Sequence, residues 1–123
     1  MAFGATDSVL VNEADLLLSL RKIGKGLIAS GVSVGVIENT LTEIAVGYGV
    51  ECEVMALPNV IMIELGQSSR GRVEFAVQRL TLLRLDQISG LAETIEKVKQ
   101  KQIPLDESTR RIDDILAKPQ RFN

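Results

Sequence analysis

The side chains that could carry chemistry in this sequence are few, and histidine is not among them. Without an imidazole, the hydroxyls of Ser30, Ser33, Ser68 and Ser69 have no histidine base, and the commonest metal ligand is missing as well. Cys52 is the single cysteine, so no disulfide can close within the chain and a reducing compartment suits it. It falls inside a strand pattern, where a buried, inert thiol is expected. Glu51, Glu53 and Glu64 could reach a metal, because residues two apart share a strand face, but glutamates are also the ordinary covering of a half-buried strand. Gly66 to Gly71 reads as a turn and not a phosphate loop, since no Lys-Ser or Lys-Thr follows the second glycine. Asp113 and Asp114 belong to a helix face. No catalytic residue, metal site or cofactor is expected from this inventory.

Glu38 is the carboxylate that stands apart. It ends the longest uncharged run, Gly26 to Ile37, and lies near the start of a helical pattern. Two roles are open to it. It can complement the helix dipole or accept free backbone N–H groups, or it can bind a small polar ligand or gate a contact.

The elements that position these residues follow from periodicity. Leu16, Leu20, Ile23 and Leu27 recur at spacings of four, three and four, with Asn12 as cap and Glu13 and Asp15 in the first turn, which predicts a helix stopping near Gly31. Gly24 and Gly26 inside it point to the close approach of another helix. Ser33 caps a second helix, buried through Ile37, Leu41, Ile44 and Tyr48 and closed by Gly49. After Gly49 the period falls to two. Cys52 and Val54 alternate with Glu51 and Glu53 up to Pro58, Val60 to Leu65 is nearly all apolar, and Val73, Phe75 and Val77 alternate with Arg72, Glu74 and Ala76. These make an antiparallel meander of three strands, or four if Leu80 to Leu85 is a strand and not a connector. Asp86 is expected to cap a third helix, buried through Ile88, Leu91, Ile95 and Val98 and basic at its end. Asp106 is expected to cap a fourth, buried through Ile112, Ile115 and Leu116. The whole is an α+β fold in two layers: two N-terminal helices, an antiparallel sheet of three or four strands, and two C-terminal helices.

A chain of 123 residues with 46% apolar residues and only four aromatics fits one domain, over residues 12–119, whose core is aliphatic. Residues 1–11 read as a flexible lead-in. The apolar composition and a small sheet with edges to protect point to a homo-oligomer. Residues 1–69 hold 3 basic and 8 acidic side chains, and residues 70–123 hold 11 and 8. Because the basic residues are interleaved with acids and lack a stacking platform, no nucleic acid partner is expected. No targeting signal is visible, and no run approaches the ~20 apolar residues of a membrane helix, so the isolated chain is expected to be soluble.

The run from Ser30 to Leu65, followed by Arg84-Leu85-Asp86-Gln87 and by the stretch Pro104 to Leu116, resembles the amino-terminal domain of the threonine/serine exporter family. The likeness spans roughly residues 12–122. Ser30 and Gly31 match the family's small-residue turn, Glu38 its glutamate, and Leu41 through Gly49 the apolar pattern that ends in glycine. Pro58 matches the proline between the first two strands, and Arg84, Leu85 and Asp86 the start of the following helix. The resemblance implies a small α+β unit on the cytoplasmic side of the cell membrane. Residues 120–123 would then precede the first transmembrane helix of the complete transporter, and Lys118 and Arg121 fit its positive flank. The implied role is assembly, gating or sensing; the implied partners are the transmembrane portion, a further copy of the chain, and a small amino acid as ligand. The candidate ligand or interface residues are Glu38, Ser33, Pro58, Arg84 and Asp86. The family's amino-terminal domain is described as hydrolase-like, but this chain has no histidine and carries Val34, Gly35 and Val36 where bulkier polar residues are common. The alternative readings are a small hydrolase-like enzyme and a self-associating scaffold module without catalysis.

Overall fold

The computed structural model describes residues 12–66, 72–78 and 83–117. Helix α1 (Glu13–Ser30) begins where the Asn12 side chain accepts the N–H groups of Ala14 and Asp15 at 2.8 and 3.3 Å. It ends at Gly31, whose φ of 80° is left-handed and free of a Cβ penalty. Its stripe of Leu16, Leu20, Ile23 and Leu27 is buried, as the spacing predicts. Only Gly31, Val32 and Ser33 separate it from α2 (Val34–Gly47), capped by the Ser33 hydroxyl, which accepts the Val36 N–H at 3.3 Å. Ile37, Leu41 and Ile44 of α2 are buried, Tyr48 is half-buried, and Gly49, at φ 77°, releases the chain into the sheet.

Strands β1 (Cys52–Leu57), β2 (Val60–Leu65) and β3 (Arg72–Val77) form an antiparallel sheet in the order β1-β2-β3. Pro58 and Asn59 make the two-residue turn between β1 and β2, fixing the register Leu57 to Val60 through Cys52 to Leu65. A one-residue slip would turn every side chain over, so this register decides which residues meet the helices. Ile61, Ile63 and Leu65 of the central strand, with Ala56 and Ala76 opposite Ile61, are buried beneath α1 and α2. The apolar residues Phe75 and Val77 of β3 therefore lie on the other face, 60% and 64% exposed, and the small Ala76 fills the inward position.

Helices α3 (Leu85–Lys99) and α4 (Leu105–Ala117) complete the helical layer. Three expectations are corrected here. Asp86 does not cap α3: Arg84 precedes the helix, and its N–H is taken by the Gln87 side chain at 2.8 Å, with Asp86 inside the first turn. Likewise Asp106 lies in the first turn of α4, which begins at Leu105. Ile88 is not core but 37% exposed, because α3 buries the face of Gln87, Leu91, Thr94, Ile95 and Val98. Of the stretch between Leu80 and Leu85, residues 80–82 lie outside the described residues, and Leu85 opens α3. The lead-in of residues 1–11 and the end from residue 118 also lie outside them.

The helical layer is held by one aliphatic core that draws on α1, α2, the sheet, α3 and α4. Close approach explains the two glycines of α1. A Cβ at Gly26 would come within 2.8 Å of Leu91 Cδ1 on α3, so a helix does approach there; at Gly24 it would meet Ile61 Cδ1 of the sheet at 2.5 Å. A buried polar link joins α1 to α4: the Ser108 hydroxyl donates to Leu105 O at 2.6 Å, leaving the Ser19 hydroxyl to donate to Ser108 Oγ at 2.9 Å. Both serines are fully buried, and the relay satisfies both protons without water.

Candidate functional site

Glu38 sits in the second turn of α2, on the side facing β1, and is half-buried. Its Oε2 accepts the backbone N–H of Ala56 at 3.0 Å. Ala56 belongs to an edge strand of the described sheet, and its N–H points away from β2, where no strand among the described residues receives it. The carboxylate thus acts as a surrogate strand partner, joining α2 to β1 two residues before Pro58. Among the described residues no serine or threonine hydroxyl hydrogen-bonds Glu38. The backbone-accepting role is therefore filled, by a strand N–H and not by the helix's own first turn.

The other candidates divide between two places. Ser33 caps the helix that carries Glu38, and Pro58 is exposed at the tip of the hairpin that Glu38 braces. Arg84 and Asp86 pair with each other at the start of α3, Nε to Oδ1 at 3.0 Å and Nη2 to Oδ2 at 3.1 Å. The hydrogen bond from Arg84 holds the Asp86 carboxyl below its usual range, and that same bond raises the guanidinium. Between them Leu85 is 82% exposed, an apolar side chain flanked by an ion pair.

Cys52 is half-buried on β1. Burial first, and then the negative charge of Glu53, push its thiol up to about 11, so it is protonated and unreactive at neutral pH. Glu53 and Glu64 stand opposite one another across β1 and β2. Among the described residues, however, no group of three or more potential ligands gathers in a way that could hold a metal ion.

Sequence periodicity missed a groove between the end of α1, α2 and α3. It has a volume of about 370 Å³, within the range of small-ligand sites. Its walls are Leu27, Val32, Ile88, Leu91, Ala92 and Ile95, with the hydroxyls of Ser30 and Thr40 among them and Glu96 and Lys99 at one end. Ser30 donates to Gly26 O at 2.8 Å, a bond within its own helix, so its hydroxyl is not set up as a nucleophile. Lys99 pairs with Glu43 at 3.3 Å across the gap between α3 and α2. This arrangement can hold a small amphiphilic molecule; it contains no nucleophile and base in contact. The only sequence signal for it was Ile88, which keeps the helical spacing yet falls on the flank of the stripe.

Among the described residues no helix is long and apolar enough to cross a membrane. No curated protein and no solved structure matches the chain significantly. The family model ThrE, described as a threonine/serine exporter, matches residues 19–123, which takes in α1 from Ser19 onward, the other three helices and the sheet. The chain therefore belongs to the threonine/serine exporter family.

Proposed function

We propose that the chain is the cytoplasmic-side, non-spanning domain of a threonine/serine exporter-type transporter, serving assembly, gating or sensing for the part that crosses the membrane. One observation carries this reading: the exporter family model covers residues 19–123, yet no described helix there could line a path through a bilayer. An exporter needs such a path, so this chain contributes by contact with the elements that build it. Two exposed features suit that contact. One is the Pro58 hairpin, braced from behind by Glu38 and, through the α2 cap, by Ser33. The other is the corner where Leu85 projects between Arg84 and Asp86. The groove at Ser30 and Thr40 supports sensing of a small amino acid, with apolar walls for its side chain and Glu96 and Lys99 for its charged ends. Self-association belongs to the same reading.

The experiment is threonine and serine efflux from preloaded cells that make the membrane-crossing portion with or without this chain, read together with co-purification of the two from detergent. Efflux that depends on the chain, with co-purification lost on Leu85→Asp, is the expected result. Co-purification failing and efflux unchanged would remove the exporter reading.

A further inference from the structure

Among the described residues the sheet has helices on one face only, and its other face is not built for water. Across the register, Met55, Met62 and Phe75 form one row of this face, and Leu57, Val60 and Val77 the next. Met55 is 56% exposed, Leu57 52%, Phe75 60% and Val77 64%, while Val60 and Met62 are half-buried between them. An antiparallel sheet with one solvated face normally alternates apolar inward and polar outward. Here, among the described strand residues, polar side chains on the open side gather at one end, where Glu53 stands beside Glu64.

We propose that this open face is a self-association surface, on which a second copy of the chain packs sheet against sheet about a two-fold axis close to Met62. The proposal rests on the self-association part of the reading above and not on its exporter part. Three features favour a second copy over another partner. The first is area: the exposed parts of Met55, Leu57, Phe75 and Val77, together with what Val60 and Met62 show between them, amount to roughly 500 Å² per copy, so two copies would bury about 1,000 Å², the lower limit of a specific interface. The second is symmetry. A two-fold axis through the centre of the face lays each apolar pair of rows on its equivalent and sends the two acidic ends to opposite rims, so like charges stay apart. The third is composition, since methionine and phenylalanine at the centre with charge confined to the rim is the anatomy of a protein interface, and the glutamates repel nucleic acid and anionic lipid. Face-to-face packing with strands about 30° apart accommodates two such twisted sheets.

The test is sedimentation velocity of the full chain over a concentration series from about 1 to 500 μM, a span suited to an interface of this size. A monomer–dimer equilibrium is expected. Phe75→Lys and Met55→Lys should each raise its Kd about 100-fold or more, as loss of a central anchor does. Both side chains are exposed in the single copy, so neither variant should change the far-UV circular dichroism, nor lower Tm at concentrations dilute enough to keep the unsubstituted chain monomeric. A second measurement uses a bis-maleimide with Cys52→Ala/Met62→Cys, which should give a covalent dimer, against Cys52→Ala/Glu93→Cys on the outside of α3, which should not. A chain that is monomeric throughout the series overturns the proposal, and a dimer indifferent to both lysines does so by placing the interface elsewhere. A lysine variant that lowers the Tm of the monomer shows the face covered by the chain's own segments and overturns it too. Efflux and co-purification are read separately, so the exporter reading can fail while this one stands, and the reverse.

Discussion

Replacing Glu38 by alanine removes the acceptor of the Ala56 N–H, and the consequence can be worked from the geometry. Ala56 is 6% exposed, and its amide faces the sheet's outer edge, where no strand among the described residues can replace the lost partner. A buried N–H left unmet costs about 1–3 kcal/mol. Glu38 itself is half-buried, so water gains some access to the edge once the side chain is gone, which limits the loss to about 1–2 kcal/mol. For a domain of this size that is roughly 4–8 °C in Tm. Glu38→Gln keeps an oxygen in place and loses only the charge assistance, so its loss stays below about 1 kcal/mol. The comparison variant is Glu43→Ala on the same helix. Glu43 is 63% exposed and pairs with Lys99 at 3.3 Å, a contact worth about 0.5 kcal/mol at most once solvent screening is counted. Urea unfolding followed by circular dichroism gives the ranking. Hydrogen exchange at the Ala56 amide gives the cause, since its protection should fall in Glu38→Ala and persist in Glu43→Ala. Equal stability of the two alanine variants, or unchanged exchange at Ala56, would refute the assignment of Glu38 as the partner of this edge.

The remaining predictions concern other parts of the fold. With its thiol pushed up to about 11, Cys52 should react with a thiolate-seeking reagent at pH 8 about 100-fold more slowly in the folded chain than in urea. The sign in pH follows. The folded state holds this proton more tightly, so its contribution is complete below the unfolded value near 8.5–9 and is lost as pH rises toward about 11; Cys52→Ser should flatten that decline. Gly24→Ala drives a methyl into Ile61 and should lower stability by about 1–2 kcal/mol despite the better helix former, whereas Gly47→Ala, with nothing within 4 Å, should raise it by up to about 1 kcal/mol. In a double-mutant cycle by urea unfolding, Ser19→Ala and Ser108→Ala should couple by about 0.5–1.5 kcal/mol, because Ser108→Ala strands the buried Ser19 proton only while Ser19 is present. Strict additivity would show that the two hydroxyls do not share a proton path.

What could be read from the chain alone was whatever local spacing dictates. The four-three-four spacing of Leu16, Leu20, Ile23 and Leu27 places them on one helix face, and all four are buried. Asn12, Ser33, Gly31 and Gly49 mark boundaries because capping and left-handed φ are chemical demands of single positions. Alternation in β3, by contrast, separates Phe75 and Val77 from Ala76 without saying which set faces the helices. That choice is made by the register with β2, which sets Ala76 beside the buried Ile61. Asp86 had the side chain of a good cap, but the start of α3 is set two residues earlier by Gln87, which folds back on Arg84 and also donates to Ile115 O at 2.8 Å. The partner of Glu38 was out of reach for the same reason as the groove: each depends on how α2 lies against a distant element. No periodicity within α2 encodes the position of Ala56 or of Leu91.

The contact between Glu38 and Ala56 also bears on what this sheet could become if chains met edge to edge. Growth of a fibre by strand addition needs two open edges on every copy, one to accept the previous chain and one to offer the next. At β1 an arriving strand would have to evict a carboxylate already bonded to the amide it seeks, and α2 with it. Growth past a first addition at the β3 side therefore meets a guarded edge. A single glutamate thus guards that edge, and its removal should show as faster seeded aggregation.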